Sequence, residues 1–180
     1  MHFDNQIRLW VIPFDKEIKP ITKEEEKIAK ELSTQKSKIY KLSRGYLRHI
    51  LSNFFNIPPL EVPIVALPGE PPFLQNELGE ISLSHCKDAL LIGWSRRKLG
   101  VDIERKDRSF YAKGIANKFY SKEEKKFLND VDYKYYKYNV LKYWVLKESA
   151  IKWQKGTISK DLSYWEVKNN FQTIYHSYLK

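Results

Sequence analysis

Two long stretches with apolar residues at three-and-four spacing, each stopped abruptly and each bracketed by short β-type runs, limit how this chain can fold. The first carries Ile39, Leu42, Tyr46, Leu47, Ile50, Leu51 and Phe54, which predicts a helix from about Ser37 to Phe55, ended by Pro58 and Pro59. The second predicts a helix from Tyr133 to Trp153, stopped at Gly156. Short strands are expected at Ile7 to Phe14, Val62 to Leu67, Ile81 to Ser84, Ala89 to Ser95 and Lys98 to Glu104, with a loop at Pro68-Gly69-Glu70-Pro71-Pro72. Thr22-Lys23-Glu24-Glu25 and Ser121-Lys122-Glu123-Glu124 are capping-box patterns that open two shorter helices. Leu162 to Val167 and Phe171 to Tyr178 have the pattern of a closing hairpin. The order strand, helix, strands therefore occurs twice. It predicts an α+β fold of two similar halves, residues 1–93 and 94–180, each with a small, mainly antiparallel sheet and a long helix.

Charge separates these halves. Residues 1–93 contain twelve Lys and Arg against twelve Asp and Glu, so the net +10 of the chain falls on residues 94–180. A basic half attracts polyanions, which include nucleic acid, an anionic cofactor and an acidic protein partner. Cys86 is the single cysteine and has no partner for an internal disulfide. The amino terminus lacks a basic-then-apolar signal pattern and no apolar run approaches a membrane span, so a soluble, cytoplasmic protein is expected.

The acidic residues of the second half suggest chemistry. In Gly100-Val101-Asp102-Ile103-Glu104, read as a strand, Asp102 and Glu104 share one face, and two adjacent carboxylates repel unless a positive charge sits between them. Glu148 and Lys152 project from one side of the second long helix at i and i+4, so a third carboxylate could complete an oxygen-rich cation site. Both features also have plainer explanations, as exposed acids neutralised by Arg105 and Lys106 and as a helix salt bridge. In Ser84-His85-Cys86 neighbouring side chains point to opposite strand faces, which disfavours a Cys-His dyad and leaves His85 as a phosphate donor or a structural histidine. Lys36, Lys38, Lys41, Arg44 and Arg48 line the start and polar side of the first long helix, as a solvated face would.

Taken in order, five segments resemble 4'-phosphopantetheinyl transferases of the surfactin-synthetase-activating (Sfp) type: Leu42-Ser43-Arg44-Gly45-Tyr46-Leu47-Arg48, Ile81-Ser82-Leu83-Ser84-His85, Gly100 to Glu104, Lys118-Phe119-Tyr120-Ser121-Lys122-Glu123-Glu124, and Trp144-Val145-Leu146-Lys147-Glu148-Ser149-Ala150-Ile151-Lys152. The resemblance spans about residues 36 to 162. It implies a monomeric pseudo-dimer of two α+β halves that transfers phosphopantetheine from coenzyme A to a serine of an acidic acyl or peptidyl carrier protein, releasing adenosine 3',5'-bisphosphate. It places Asp102, Glu104 and Glu148 on magnesium ligands. Ser84, His85, Lys147 and Lys152 fall on contacts to the coenzyme A phosphates, Lys36 near a position for the adenosine 3'-phosphate, and Arg44 on the same helix pattern. Glu148, directly or through a metal-bound water, would accept the serine proton, Lys147 or Lys152 would assist the leaving group, and a helical stretch from Asp107 to Phe119 would face the carrier. No nucleic acid or membrane is implied.

Two departures accompany the resemblance. Glu70 stands where the family often has a phosphate-contacting lysine, and the chain ends soon after Tyr178, where many relatives continue. A magnesium-dependent nuclease and a basic binding module are the alternatives. The nuclease would need a lysine close to the acids on one strand, for which Arg105 and Lys106 are loose substitutes, and a binding module has no need of three converging carboxylates.

Overall fold

Two units account for the chain, residues 1–81 with 88–97 and residues 82–87 with 98–180. The computed structural model describes residues 6–66, 70–168 and 171–178. Helices and small antiparallel sheets together make an α+β protein.

In the first unit, β1 (Ile7–Pro13) is followed by α1 (Lys23–Glu31), α2 (Thr34–Phe55), β2 (Ile64–Val65), β3 (Phe73–Leu74), the start of β4 (Glu80–His85) and β5 (Ala89–Ser95). β1 lies antiparallel to β5, from Ile7 opposite Ser95 to Pro13 opposite Ala89, in a sheet of order β1-β5-β4. β2 and β3 form a separate antiparallel pair. The first capping box forms as the sequence requires: Glu25 N–H donates to Thr22 Oγ1 at 3.2 Å and Thr22 N–H to Glu25 Oε2 at 2.9 Å. α2 ends in the left-handed conformation at Asn56, a residue type that tolerates φ of 57°, before the two prolines. Leu42, Leu47 and Leu51 of α2 and Leu90, Ile92 and Trp94 of β5 are buried, and the Trp94 ring lies 4.6 Å from Phe54 and 5.8 Å from Phe55.

The face of α2 expected to be solvated is not uniformly so. Arg48 is buried, with Nε 2.7 Å from Glu25 Oε2 and Nη1 donating to the Val62 carbonyl at 3.0 Å. Lys41 pairs with Glu26 at 2.6 Å. Glu25 and Glu26 of α1 thus cover Arg48 and Lys41, while Lys36 and Lys38 are exposed as expected.

In the second unit α3 (Ala112–Phe119), α4 (Lys122–Asp130), α5 (Tyr133–Gln154) and the single turn α6 (Ile158–Asp161) precede β6 (Trp165–Val167) and β7 (Ile174–His176). The second capping box joins Ser121 and Glu124. Ala116, Tyr120, Leu128, Val140, Tyr143 and Val167 form one buried cluster, and Ala150, Ile151, Leu162 and Trp165 another. The closing hairpin forms, with Trp165 opposite His176 and Val167 opposite Ile174, but Leu162–Tyr164 is a 3₁₀ turn instead of strand. The helix expected from Asp107 begins only at Ala112. α5 is closed by Lys155 in the left-handed conformation, one residue before the glycine expected to end it.

One expected strand does not form: residues 98–104 have no strand structure. The Val101 N–H donates to Ser82 Oγ at 3.1 Å, so a side chain takes the bond that a ladder would have supplied. Of the expected proline-rich loop, Pro68 and Gly69 lie outside the described residues, and Glu70 is exposed. Among the described residues no helix is long and apolar enough to cross a membrane.

Candidate active site

A glycine brings the acidic segment to α5. A Cβ at Gly100 would overlap the Ser149 carbonyl and come 2.5 Å from the Trp153 nitrogen, so only glycine lets residues 98–104 lie directly on the helix backbone. Ser82, holding the Val101 N–H, fixes the same segment to the middle of β4. Asp102 consequently lands between β4 and α5. Its Oδ1 accepts from Ser84 Oγ at 2.6 Å and from Lys152 Nζ at 2.7 Å. The Asp102 side chain is 4% exposed and that of Lys152 30%, so the carboxylate is enclosed while the ammonium is reachable from solvent. Among the described residues Asp102 Oδ2, which is buried, has no hydrogen-bond partner.

Glu148 lies one turn before Lys152 on α5. Burial pushes its pKa up to about 7, the charge of Asp102 adds to the rise, and Lys152 and Arg108 oppose it. The expected i, i+4 pairing of Glu148 with Lys152 gives way to the Lys152–Asp102 contact. Glu104, the third expected carboxylate, accepts from Arg108 Nη1, where the sequence suggests Arg105 and Lys106 as its neutralising partners. Arg105 is occupied by Asp107, with Nε 2.7 Å from Oδ1.

Among the described residues no group of three or more His, Cys, Asp and Glu side chains is placed to hold a metal ion. The donor chemistry of Asp102 and Glu148 nonetheless fits a hard divalent cation. An orphaned carboxylate oxygen is buried beside a second carboxyl group whose ionisation that charge disfavours, and a cation would relieve both. Glu104 would have to leave Arg108 to join them.

Lys147, one residue from Glu148, is turned into the protein. Its side chain is fully buried, with Nζ 2.7 Å from Glu124 Oε2, 3.2 Å from the Phe119 carbonyl and 4.8 Å from the centre of the Tyr120 ring. Burial lowers its pKa, against the opposing pull of Glu124. Glu124 also accepts from the Ser121 N–H and, through Oε1, from the Val167 N–H at 2.8 Å. The sequence had offered Glu124 only as a helix cap. Lys147 is therefore not among the side chains gathered at Asp102.

His85 follows Ser84 on β4 and is exposed, whereas Ser84 is buried, as strand alternation requires. Lys36 and Arg44 belong to α2 in the first unit. The Arg44 guanidinium is buried 5.2 Å from the Tyr40 ring centre, and its Nε and Nη1 have no hydrogen-bond partner among the described residues.

Residues 98–179 match the family model of the 4'-phosphopantetheinyl transferase superfamily. This stretch, somewhat less than half of the chain, contains Asp102, Glu104, Lys147, Glu148 and Lys152, and excludes Ser84, His85 and the helix of Lys36 and Arg44. No curated protein matches the chain.

Proposed function

We propose that this protein transfers the 4'-phosphopantetheine group of coenzyme A to a serine of an apo acyl or peptidyl carrier protein, as a monomeric cytoplasmic enzyme of the Sfp type. The observation that carries the reading is the buried Asp102, bonded to Ser84 and Lys152 beside Glu148, within the stretch that matches the superfamily. In the reaction the serine oxygen forms a bond to the phosphorus that bears the pantetheine arm. The bond from that phosphorus to the adenosine 3',5'-bisphosphate breaks, and the serine proton goes to a base. Glu148, a carboxyl group held beside Asp102 and one turn from Lys152, is assigned as that base. Lys152, reachable and positively charged, would meet the departing bisphosphate oxygens. Asp102, Glu148 and, once free of Arg108, Glu104 would hold Mg2+, which when bound supplies positive charge against the repulsion among phosphate oxygens.

Ser84 and His85 would contribute further phosphate contacts. In the first unit, Lys36 and Arg44 are assigned to coenzyme A phosphates, and the unpartnered guanidinium nitrogens of Arg44 support an anion partner for that residue. Lys147 contributes through its buried pair with Glu124, which fixes the backbone of α5 next to Glu148. The excess positive charge of residues 94–180 suits an acidic carrier. The test is incubation with coenzyme A, MgCl2 and a panel of apo carrier proteins, followed by mass spectrometry of the carrier. A gain of one phosphopantetheine group is expected on at least one carrier, and no gain on any would overturn the reading.

A further inference from the structure

We propose that Arg108 is a built-in competitor for the cation at Glu104: it holds that carboxylate while the site lacks its anionic substrate and gives it up when phosphate oxygens offer the guanidinium a better partner. The inference rests on the transferase reading and adds to it an order of events at the same site. Arg108 stands four residues after Glu104, and its Nη1 donates to Glu104 Oε1. The two side chains differ in exposure, 37% for Arg108 and 17% for Glu104, so the cation of the pair is the more accessible partner. The guanidinium lies 5.9 Å from the ring centres of both Phe110 and Trp144. Aromatic faces steady a guanidinium without consuming its N–H donors, so it can change hydrogen-bond partner while remaining between the rings.

Arg105 supplies the contrast. It is bound to Asp107 through two parallel contacts, Nε to Oδ1 at 2.7 Å and Nη2 to Oδ2 at 2.5 Å. The wall of a cavity of about 380 Å³ includes Lys87, Glu104, Arg105, Asp107 and Arg108, so an anion entering it meets Arg108 next to the Arg105–Asp107 pair. A planar guanidinium binds phosphate oxygens in bidentate fashion, with charge on both partners. The pairing also accounts for the lack of a three-donor cation site among the described residues: Glu104 is held by an internal cation in place of an external one. Divalent ions should therefore bind the free protein weakly, and more tightly once a pyrophosphate has drawn Arg108 away.

Titration calorimetry with MgCl2 on the free protein, alone and with inorganic pyrophosphate against a protein-free magnesium pyrophosphate blank, tests this directly. Arg108→Gln is expected to bind Mg2+ roughly two- to fivefold more tightly than the unmodified protein, the range set by breaking a partly exposed pair. Such a gain cannot come from a damaged fold. Arg105→Gln removes the same charge from the same segment and should produce less than half that gain. In a Glu104→Gln background, Arg108→Gln should produce none. Equal gains for both arginine variants, a gain that survives Glu104→Gln, no gain in Arg108→Gln, or no Mg2+ binding by any variant would each overturn the proposal. The carrier mass assay reads the transferase function separately: a modified carrier with unchanged Mg2+ affinity in Arg108→Gln sinks only the competitor role.

Discussion

Lys147 and Glu124 form an ion pair with both side chains fully buried, Nζ 2.7 Å from Oε2, and the same carboxylate also caps α4 and receives the Val167 N–H. One carboxylate thus ties together the start of α4, the middle of α5 and strand β6. Removing one partner leaves the other charged and desolvated, which costs about 3–5 kcal/mol, more than the pair itself contributes. Lys147→Met is expected to lower unfolding stability by that amount in urea titrations. Lys147→Met combined with Glu124→Gln should recover part of the loss, because no uncompensated charge remains. A single variant as stable as the unmodified protein would show that the pair is not buried in solution.

The pair of Lys152 with Asp102 should behave differently, since Lys152 is partly exposed and faces the proposed phosphate site. Lys152→Gln is expected to cost only about 1–2 kcal/mol of stability, between the limits for exposed and buried pairs. The loss in transfer rate should be far larger, roughly a hundredfold or more, the scale for deleting a charge-stabilising group. Rates followed by carrier mass and stabilities followed by urea unfolding separate the two effects. Equal, small losses in both would remove Lys152 from the reaction.

What the sequence made legible was local. The capping boxes at Thr22 and Ser121 and the apolar spacing of α2 and α5 depend on residues within a turn or two, and all formed. Contacts between distant residues were not legible. Glu25 meets Arg48 across 23 positions and Glu124 meets Lys147 across the same gap, so Arg48, expected on a solvated face, and Lys147, expected at a phosphate, became members of internal pairs. Residues 98–104 misled for another reason. Their alternation of apolar and acidic residues is that of a strand, but Ser82 Oγ takes the Val101 N–H, and the segment follows α5 instead of a sheet edge. Of the site, the residue types were legible and their pairings were not: Asp102 chose Lys152, and Glu104 chose Arg108.

Gly100 offers a test of how the acidic segment is held. In Gly100→Ala the new Cβ would meet two backbone groups of α5, at Ser149 and Trp153, neither of which can rotate away. A stability loss of about 1–3 kcal/mol is expected from this overpacking, together with slower transfer as Asp102 is pushed from Lys152. Asp102→Asn should slow transfer without the same packing loss. Full stability and rate in Gly100→Ala would mean that residues 98–104 do not lie against α5.

Tyr143 gives the protein an alkaline limit. Burial raises its pKa from 10.0 to about 12, and the charges of Glu124 and Glu166 add to the rise. A group whose folded pKa exceeds its unfolded value contributes stability that is complete below the unfolded pKa and disappears as pH passes through the folded one. Stability should therefore decline between pH 10 and 12, as the unfolded chain releases a proton that the folded protein retains. The Tyr143 hydroxyl is buried with no hydrogen-bond partner among the described residues, so Tyr143→Phe removes the titration without breaking a bond there and should be neutral or mildly stabilising at pH 8. Urea midpoints at pH 8 and pH 11 check both statements. The unmodified protein should lose more of its midpoint over that interval than Tyr143→Phe, and identical losses would show that the phenol ionises in the folded protein as it does in the unfolded chain.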